Sequence, residues 1–325
     1  MRVVKVFVTG ATGFIGGRMT RLLVDRGDEV VALVRNPAKA SDLAAAGVTL
    51  IEGDLTSLDA IEQGVRGAEA VIHGAAIYKI GIPGAERDEM FDANVRGTAR
   101  VLDAAVAANV PRIVYVSSVV AFGDTEGATV DEDHQRPHRR FASFYEETKL
   151  LAHEIADERI ARGAPVVMVQ PGGVYGPGDH SQLGTMIHQA ATGKLKLKML
   201  PHAGYLMAYV DDVAAGIVQA LDAGEIGESY VLGGECVTMG ELVDRAAAVA
   251  GRNGPRGTMP TPLIKASAPF GRFVGPMMGF PPNLRELIRS SDGVTYYAHD
   301  TKARKQLGYT SRALDQGLRE TIDSY

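Results

Sequence analysis

Tyr145 and Lys149 stand four residues apart in a stretch, residues 144–162, whose pattern is helical, so a phenol and an ammonium share one face. Such a pair can move a proton. A free tyrosine has a pKa near 10, and a neighbouring ammonium favours its phenolate. Bringing the phenol close to neutrality takes roughly 4 kcal/mol at about 1.4 kcal/mol per unit. Tyr145 could then give a proton to a carbonyl oxygen or take one from an alcohol. Taken alone, the spacing is also that of an aromatic anchor beside a surface lysine. Its chemical meaning comes from two earlier stretches. Ser117 and Ser118 follow residues 112–116, at what reads as a strand end. Near the start of the chain, the β-branched run 3–8 leads into Gly10, Gly13 and Gly16, and a helical pattern follows with Ile15, Met19, Leu22 and Leu23 on one side. Strand, glycine turn and helix start are the parts of a phosphate cradle, in which backbone N–H groups and the positive helix end face an anion. The first gap is one residue longer than in the usual dinucleotide fingerprint, and a tight turn with no ligand is the plain alternative. The strand before it and the helix after it favour a dinucleotide. A bound oxidised nicotinamide, itself positive, would join Lys149 in stabilising a Tyr145 phenolate.

The elements that must hold these groups follow from the pattern. Strands are predicted at 30–34, 48–52, 70–73, 112–116, 166–170 and 230–232. Helices are predicted at 38–46, 58–64, 90–108, 144–162 and, after Asp211 and Asp212, within 209–223. Strands alternating with helices imply right-handed crossovers and a mostly parallel, doubly wound α/β sheet of Rossmann type. The loop 123–140 is polar without a clean period. Beyond Pro171 the regularity breaks down, and 257–282 is rich in Pro, Met, Phe and Gly, as a cap over a site would be. The expected division is a dinucleotide-binding core over 1–170, to which 209–235 returns, and a smaller mixed C-terminal substrate-binding part over 171–208 and 236–325.

Several ordered motifs carry a resemblance covering most of the chain: 9–16 (Thr-Gly-Ala-Thr-Gly-Phe-Ile-Gly), Gly53-Asp54-Leu55, His73-Gly74-Ala75-Ala76, 94–98 (Asn-Val-Arg-Gly-Thr), Val116-Ser117-Ser118, 145–149 (Tyr-Glu-Glu-Thr-Lys) and 171–177. The chain resembles an extended short-chain dehydrogenase/reductase of the epimerase/dehydratase type, in its dihydroflavonol-reductase-like branch. The resemblance implies that Ser118 hydrogen-bonds the reacting oxygen, that Tyr145 is the general acid/base, that Lys149 holds the nicotinamide ribose and tunes the tyrosine, and that Asn94 stands beside them. It also implies cofactor contacts from Gly10, Thr12, Gly13, Phe14, Ile15 and Gly16, from Asp54 and Leu55 against the adenine, from Ala75 and Ala76 under the ribose, and from Pro171 and Val174 along the nicotinamide. Gln170 departs from the arginine that relatives usually place before that proline. In such relatives the helix at 144–162 and the one beginning near Asn94 often pack into a homodimer.

The end of the second strand bears on the cofactor. An acidic side chain there accepts from the ribose 2′-OH of NAD. Here Val34 is followed by Arg35, so no carboxylate repels a 2′-phosphate and a guanidinium is at hand to bind one. NADP(H) is therefore expected over NAD(H). Dehydratases of this kind typically carry Asp-Glu after the active-site serine or threonine, where this chain has Val119-Val120. Nucleotide-sugar epimerases tend to carry an arginine where residues 204–208 are uncharged. Met side chains in 259–282 suit varied apolar ligands. The expectation is an NADPH-dependent reductase of an aromatic or alicyclic ketone, or the reverse reaction. The alternatives are a nucleotide-sugar epimerase working through a transient keto intermediate, with Arg272, Arg285 or Arg289 on the pyrophosphate, and a non-catalytic NADP-sensing regulator, a class that typically lacks the tyrosine or lysine kept here.

The chain of 325 residues is 46% hydrophobic and 22% charged, ordinary values for a globular protein with a large core. A net charge of −5 gives no basic field for nucleic acid or an anionic membrane. The only cysteine, Cys236, excludes an intrachain disulfide and a cysteine metal cluster. His134 and His138 lack an obvious third ligand, so no metal is expected, and His180, His188 and His202 are read as pocket or surface groups. No run reaches a membrane span's roughly 18 apolar residues, and with no cleavable leader seen a cytoplasmic location is expected.

Overall fold

The computed structural model describes residues 3–270 and 281–325. Its first half alternates strand and helix: β1 (Lys5–Thr9), α1 (Phe14–Asp25), β2 (Glu29–Val34), α2 (Ser41–Ala45), β3 (Thr49–Glu52), α3 (Leu58–Val65) and β4 (Ala70–His73). There follow α4 (Gly84–Phe91), α5 (Gly97–Ala107), β5 (Ile113–Val116), α6 (Phe144–Ala161) and β6 (Val166–Pro171). The second half holds β7 (Gly173–Tyr175), α7 (Gln182–Ala191), β8 (Leu197–Lys198), β9 (Gly204–Tyr209), α8 (Val210–Ala223), β10 (Ser229–Leu232), β11 (Cys236–Thr238) and α9 (Met239–Val249). After these come β12 (Gly257–Thr258), α10 (Thr261–Ser267), α11 (Leu284–Arg289), β13 (Thr295–Tyr296), α12 (Thr301–Leu307) and α13 (Leu314–Asp323).

Seven strands form one sheet in the order β10-β6-β5-β4-β1-β2-β3, and every pair is parallel. Both faces are covered, which is why the strands read as near-continuous apolar runs. The period-2 alternation shows in β1. Val6 and Val8 join Met19, Leu23 and Ile217 in one core, while Phe7 joins Ile61, Leu102 and Ala152 in the other. Strand order reverses between β1 and β4, so the chain leaves these neighbours in opposite directions and opens a crevice at their C-terminal ends, where such sheets bind ligands.

Two helix expectations need correction. The stretch 38–46 is a 3-10 turn, Pro37–Ala40, running into the short α2. The asparagine side chain of Asn36 caps that turn by accepting from the Ala38 N–H at 3.0 Å. The helix expected over 90–108 begins earlier, with α4, and passes through a π-helical turn, Asp92–Arg96, before α5. The irregular stretch expected after Pro171 is in fact ordered. β9 is the centre of a small mixed sheet, flanked by β11 antiparallel and by β13 and β7 parallel. Strands of two and three residues are too short to show a period.

The polar loop 123–140 is also ordered, by pairing rather than by period. Thr125 N–H donates to Thr295 O at 2.8 Å, Val130 bridges Ala298, and the Glu132 carboxylate accepts from the edge-strand Val231 N–H at 2.7 Å. Of the expected cap, β12 and α10 are described, and Ile264 packs with Leu200 and Ile288. Residues 271–280, including Arg272, lie outside the described residues.

Candidate active site

The ends of β1, β4, β5 and β6 and the helices α1 and α6 build the site. At the end of β1, Gly10 takes a positive φ of +84°, and a Cβ there would stand 2.8 Å from Ala75 N. A Cβ on Gly16 would stand 2.0 Å from Gly10 O. Only glycine lets the turn and α1 close this tightly. Gly13 caps α1 with no side chain satisfying its first N–H groups, and Thr12 and Gly13 are exposed while Phe14 and Ile15 are half-buried. The positive end of α1 therefore opens onto the crevice, a fit for a pyrophosphate. Arg18 locks this helix to the second half of the chain, with its Nε 2.6 Å from the Asp211 carboxylate and its guanidinium on Pro177 O.

The expected cofactor contacts divide. Ala75 and Ala76 form the rim at the end of β4, with Ala75 N–H donating to Thr9 Oγ1 at 3.3 Å. Pro171 ends β6 and Val174 lies half-buried in β7, across the crevice. Arg35 is exposed just past β2 and makes no ion pair among the described residues, and Val34 is buried. Asp54 is exposed, and its Oδ1 is engaged in its own turn by Thr56 and Ser57, bonds that hold its carboxyl below the ordinary range. Leu55 is 8% exposed and belongs to the core; a Cβ on Gly97 would lie 2.8 Å from its Cβ.

The expected Ser118, Tyr145 and Lys149 converge where β5 ends against α6. Ser143 caps α6, its hydroxyl accepting from Glu146 N–H at 3.1 Å. Tyr145, in the first turn, is half-buried, and Lys149 is buried one turn on. Ser117 Oγ is 2.9 Å from His153 Nδ1, whereas Ser118 caps a 3-10 turn and interacts with the Tyr145 phenol. The expected acidification of Tyr145 by Lys149 is not a property of the protein groups alone. Burial raises the phenol above its ordinary value, Tyr115 adds to the rise, and Ser118 opposes it. Lys149 donates instead to Val116 O at 3.1 Å, and burial lowers its amine to about 8.

Asn94 is a bracket. Its Oδ1 accepts from Ile77 N–H at 2.7 Å, and its Nδ2 donates to Ile77 O at 2.9 Å and Thr148 Oγ1 at 3.0 Å. It ties the loop after β4 to the helix of Tyr145 from a π-helical turn, an irregularity frequent at functional sites.

Sequence reasoning missed several groups. His73 is buried between Thr9 and Thr98. Tyr78 meets Tyr145 edge-to-face, ring centroids 4.8 Å apart. His153 continues the four-residue spacing of Tyr145 and Lys149, a signal the sequence did contain. Glu286, 3% exposed, accepts from Phe144 N–H, and nothing local in the sequence marks it. Of the expected pocket histidines, His180 lines a cavity of about 460 Å³. His188 packs on Tyr325, and His134 meets Phe122 edge-on. Gln170, 0% exposed, has no partner for either amide atom among the described residues.

Comparison with known proteins agrees with the fold. Residues 6–233 match the NAD dependent epimerase/dehydratase family. A Synechocystis protein named, provisionally, dihydroflavonol 4-reductase is 30% identical over 97% of this chain and 93% of its own. A Stigmatella aurantiaca ketoreductase of a farnesylated 3-oxo-dihydroquinoline-1-oxide is 30% identical over 96% of this chain and 93% of its own. Among solved structures, that of gox2253 superposes with a TM-score of 0.83 at 30% identity, covering 98% of this chain and 97% of that one. MoeE5 in complex with UDP-glucose and NAD gives 0.77 at 26% identity, covering 98% of each.

Proposed function

Because the chain belongs to the NAD-dependent epimerase/dehydratase family, we propose that it is an NADPH-dependent carbonyl reductase, able to run in reverse, with Ser118, Tyr145 and Lys149 as its catalytic residues. What supports this reading is that α6 sets Lys149 against the end of β5, its amine donating to Val116 O at 3.1 Å two residues before Ser118, with Tyr145 one helical turn away, at the C-terminal edge of the parallel sheet where the glycine turn after β1 also lies. The nicotinamide, when bound, supplies or accepts the hydride. The protein's part is to hold the carbonyl and move a proton. Ser118 Oγ–H donates to the carbonyl oxygen, and Tyr145 gives that oxygen its proton as negative charge develops there. A phenol whose ionisation is resisted by burial holds its proton until then. Lys149, buried beside it, supplies the positive charge that steadies the resulting phenolate. Asn94 fixes the loop and helix that carry these groups. The dihydroflavonol-reductase and ketoreductase relatives support reduction over dehydration, as does Val119-Val120 where a dehydratase needs an acid and a base.

NADPH is favoured by Arg35, exposed past β2 and unpaired among the described residues, and by Arg21 and Lys39, which line a cavity of about 490 Å³ beside Thr12 and Gly13. The likeness to a UDP-glucose-binding neighbour keeps one second reading, a nucleotide-sugar epimerase. The test is a kcat/KM comparison of NADPH with NADH on ring ketones, with a product assay for epimerised UDP-glucose. The expected results are at least a tenfold preference for NADPH, no epimerisation, and a Tyr145→Phe variant that binds NADPH but loses about 10²–10⁴ in turnover. An NADH preference overturns the cofactor assignment; unchanged turnover in Tyr145→Phe removes the proton donor.

A further inference from the structure

The loop leaving β4 holds one aromatic ring out over the catalytic residues. Tyr78 keeps 59% of its surface exposed, and its hydroxyl makes no hydrogen bond among the described residues. Yet the ring is fixed. It meets the Tyr145 ring edge-to-face at 81°, Asn94 grips both backbone groups of the preceding Ile77, and Gly81 O accepts from Asn283 N–H at 3.1 Å. An exposed ring held in place beside Tyr145 offers its open face to a ligand. Tyr78 lines the cavity of about 460 Å³ together with Ile80, Ile82, Pro281 and Pro282. That volume lies in the range, about 300–1,000 Å³, of sites that enclose a small organic molecule.

Charge narrows the occupant. Lys79 and Glu86 in the lining pair at 2.8 Å, so neither is left over for a ligand. Arg289 is engaged with Ala142 O, and neither it nor Arg285 is in the lining. A carboxylate or pyrophosphate would enter without a lysine or arginine to receive it among the described residues, at a desolvation cost.

We propose that Tyr78 is a specificity-determining residue that stacks on the ring of a neutral, flat carbonyl substrate and brings its carbonyl to Tyr145. The inference rests on the reductase reading. Stacking adds to area burial for a planar partner and gives nothing extra to a flexible chain. The binding contact is made equally before and during the reaction, so its loss appears in KM more than in kcat.

The test follows NADPH absorbance with the full chain and three probes: 1-tetralone and taxifolin as neutral ring ketones, and 3-oxooctanoate as a linear acid. The native protein is expected to favour the ring ketones at least tenfold in kcat/KM. Tyr78→Leu should raise their KM about tenfold, with kcat within about threefold, the KM for NADPH unchanged and, the ring being exposed, little change in Tm. Tyr78→Phe should behave as the native protein, because the ring and not the hydroxyl acts. An unchanged KM in Tyr78→Leu, an equal loss on 3-oxooctanoate, or a native preference for the linear acid overturns the proposal. If no ketone is reduced, or if Tyr145→Phe is as active as the native protein, the reductase reading falls and this inference with it. Ring ketones reduced with Tyr145→Phe inactive leave Tyr78→Leu to judge Tyr78 alone.

Discussion

His73 shows how one buried side chain ties the site to solution conditions. Its ring nitrogens meet Thr9 Oγ1 at 2.7 Å and Thr98 Oγ1 at 3.1 Å, at the junction of β1, β4 and α5. Burial, with a smaller push from the Lys149 ammonium, lowers its pKa to about 3. A folded pKa below the unfolded value of about 6.5 means that the unfolded chain takes up the proton first. The stabilisation is complete above pH 6.5 and is lost as pH falls from 6.5 toward 3. Between pH 7 and 4.5 the native protein should lose about 2 kcal/mol more stability than His73→Gln, measured by urea unfolding at both pH values. Equal losses would mean that His73 is not buried neutral. Arg35 is the opposite kind of residue, exposed and without an ion-pair partner among the described residues, and its role would appear only with a ligand. Replacing it with Ala should weaken NADPH about 10–100-fold, the worth of charge-assisted hydrogen bonds to a phosphate, and leave NADH within about twofold. Equal weakening of both cofactors would place Arg35 off the 2′-phosphate.

The first turn of α6 is held from outside its own segment. Glu286 on α11 accepts from Phe144 N–H at 2.8 Å, pairs with Arg87 of α4 at 2.9 Å and is braced by Asn283 at 3.0 Å. Glu146, also buried, binds Arg136 and accepts from Ala142 N–H and the Tyr296 hydroxyl, both at 3.0 Å. Tyr145 sits between these two anchors, and both carboxylates complement the positive helix end. Glu286→Gln keeps an acceptor for Phe144 but leaves Arg87 unpaired. It should cost about 2 kcal/mol of stability, less than a fully buried pair because Arg87 is partly exposed. It should also lower kcat about tenfold through misplacement of the phenol, with NADPH affinity unchanged. A fall in Tm with kcat unaltered would make the clamp purely structural. This clamp also marks the limit of what could be read from the chain. The parallel sheet was legible because each buried strand is a continuous apolar run, and Tyr145 and Lys149 because their spacing is local. Glu286 and Glu146 gain their meaning from partners at Arg87 and Arg136, which no periodicity connects. The strands β7, β11 and β13 are too short to declare themselves, and each pairs with β9, about 25 to 90 residues away in sequence.

At the scale of the whole molecule the two sheets cannot come apart independently. The chain enters the small sheet at β7 and β9 and then returns to the main sheet as β10. Leu206 of β9, Val231 of β10, Tyr296 of β13 and Phe122, just after β5, share one buried cluster. The loop 123–140 stitches across the same boundary through Thr125, Val130 and Glu132. A cofactor bound at the glycine cradle would therefore stabilise the C-terminal part as well, with Arg18 joining α1 to Pro177 and Asp211 as the direct link. Thermal unfolding is expected to show one transition, coincident by far-UV circular dichroism and by the fluorescence of the 11 tyrosines in a chain without tryptophan. NADPH at 100 times its dissociation constant adds about 2.7 kcal/mol, which for a chain of this size moves Tm by about 4 °C. The same concentration of NADH should move it less, by the logarithm of the affinity ratio: a tenfold weaker ligand gives about half the shift. Two transitions, of which NADPH shifts only the first, would show that the C-terminal part folds on its own, and the route from the cradle through Arg18 would then carry no stability to the substrate side.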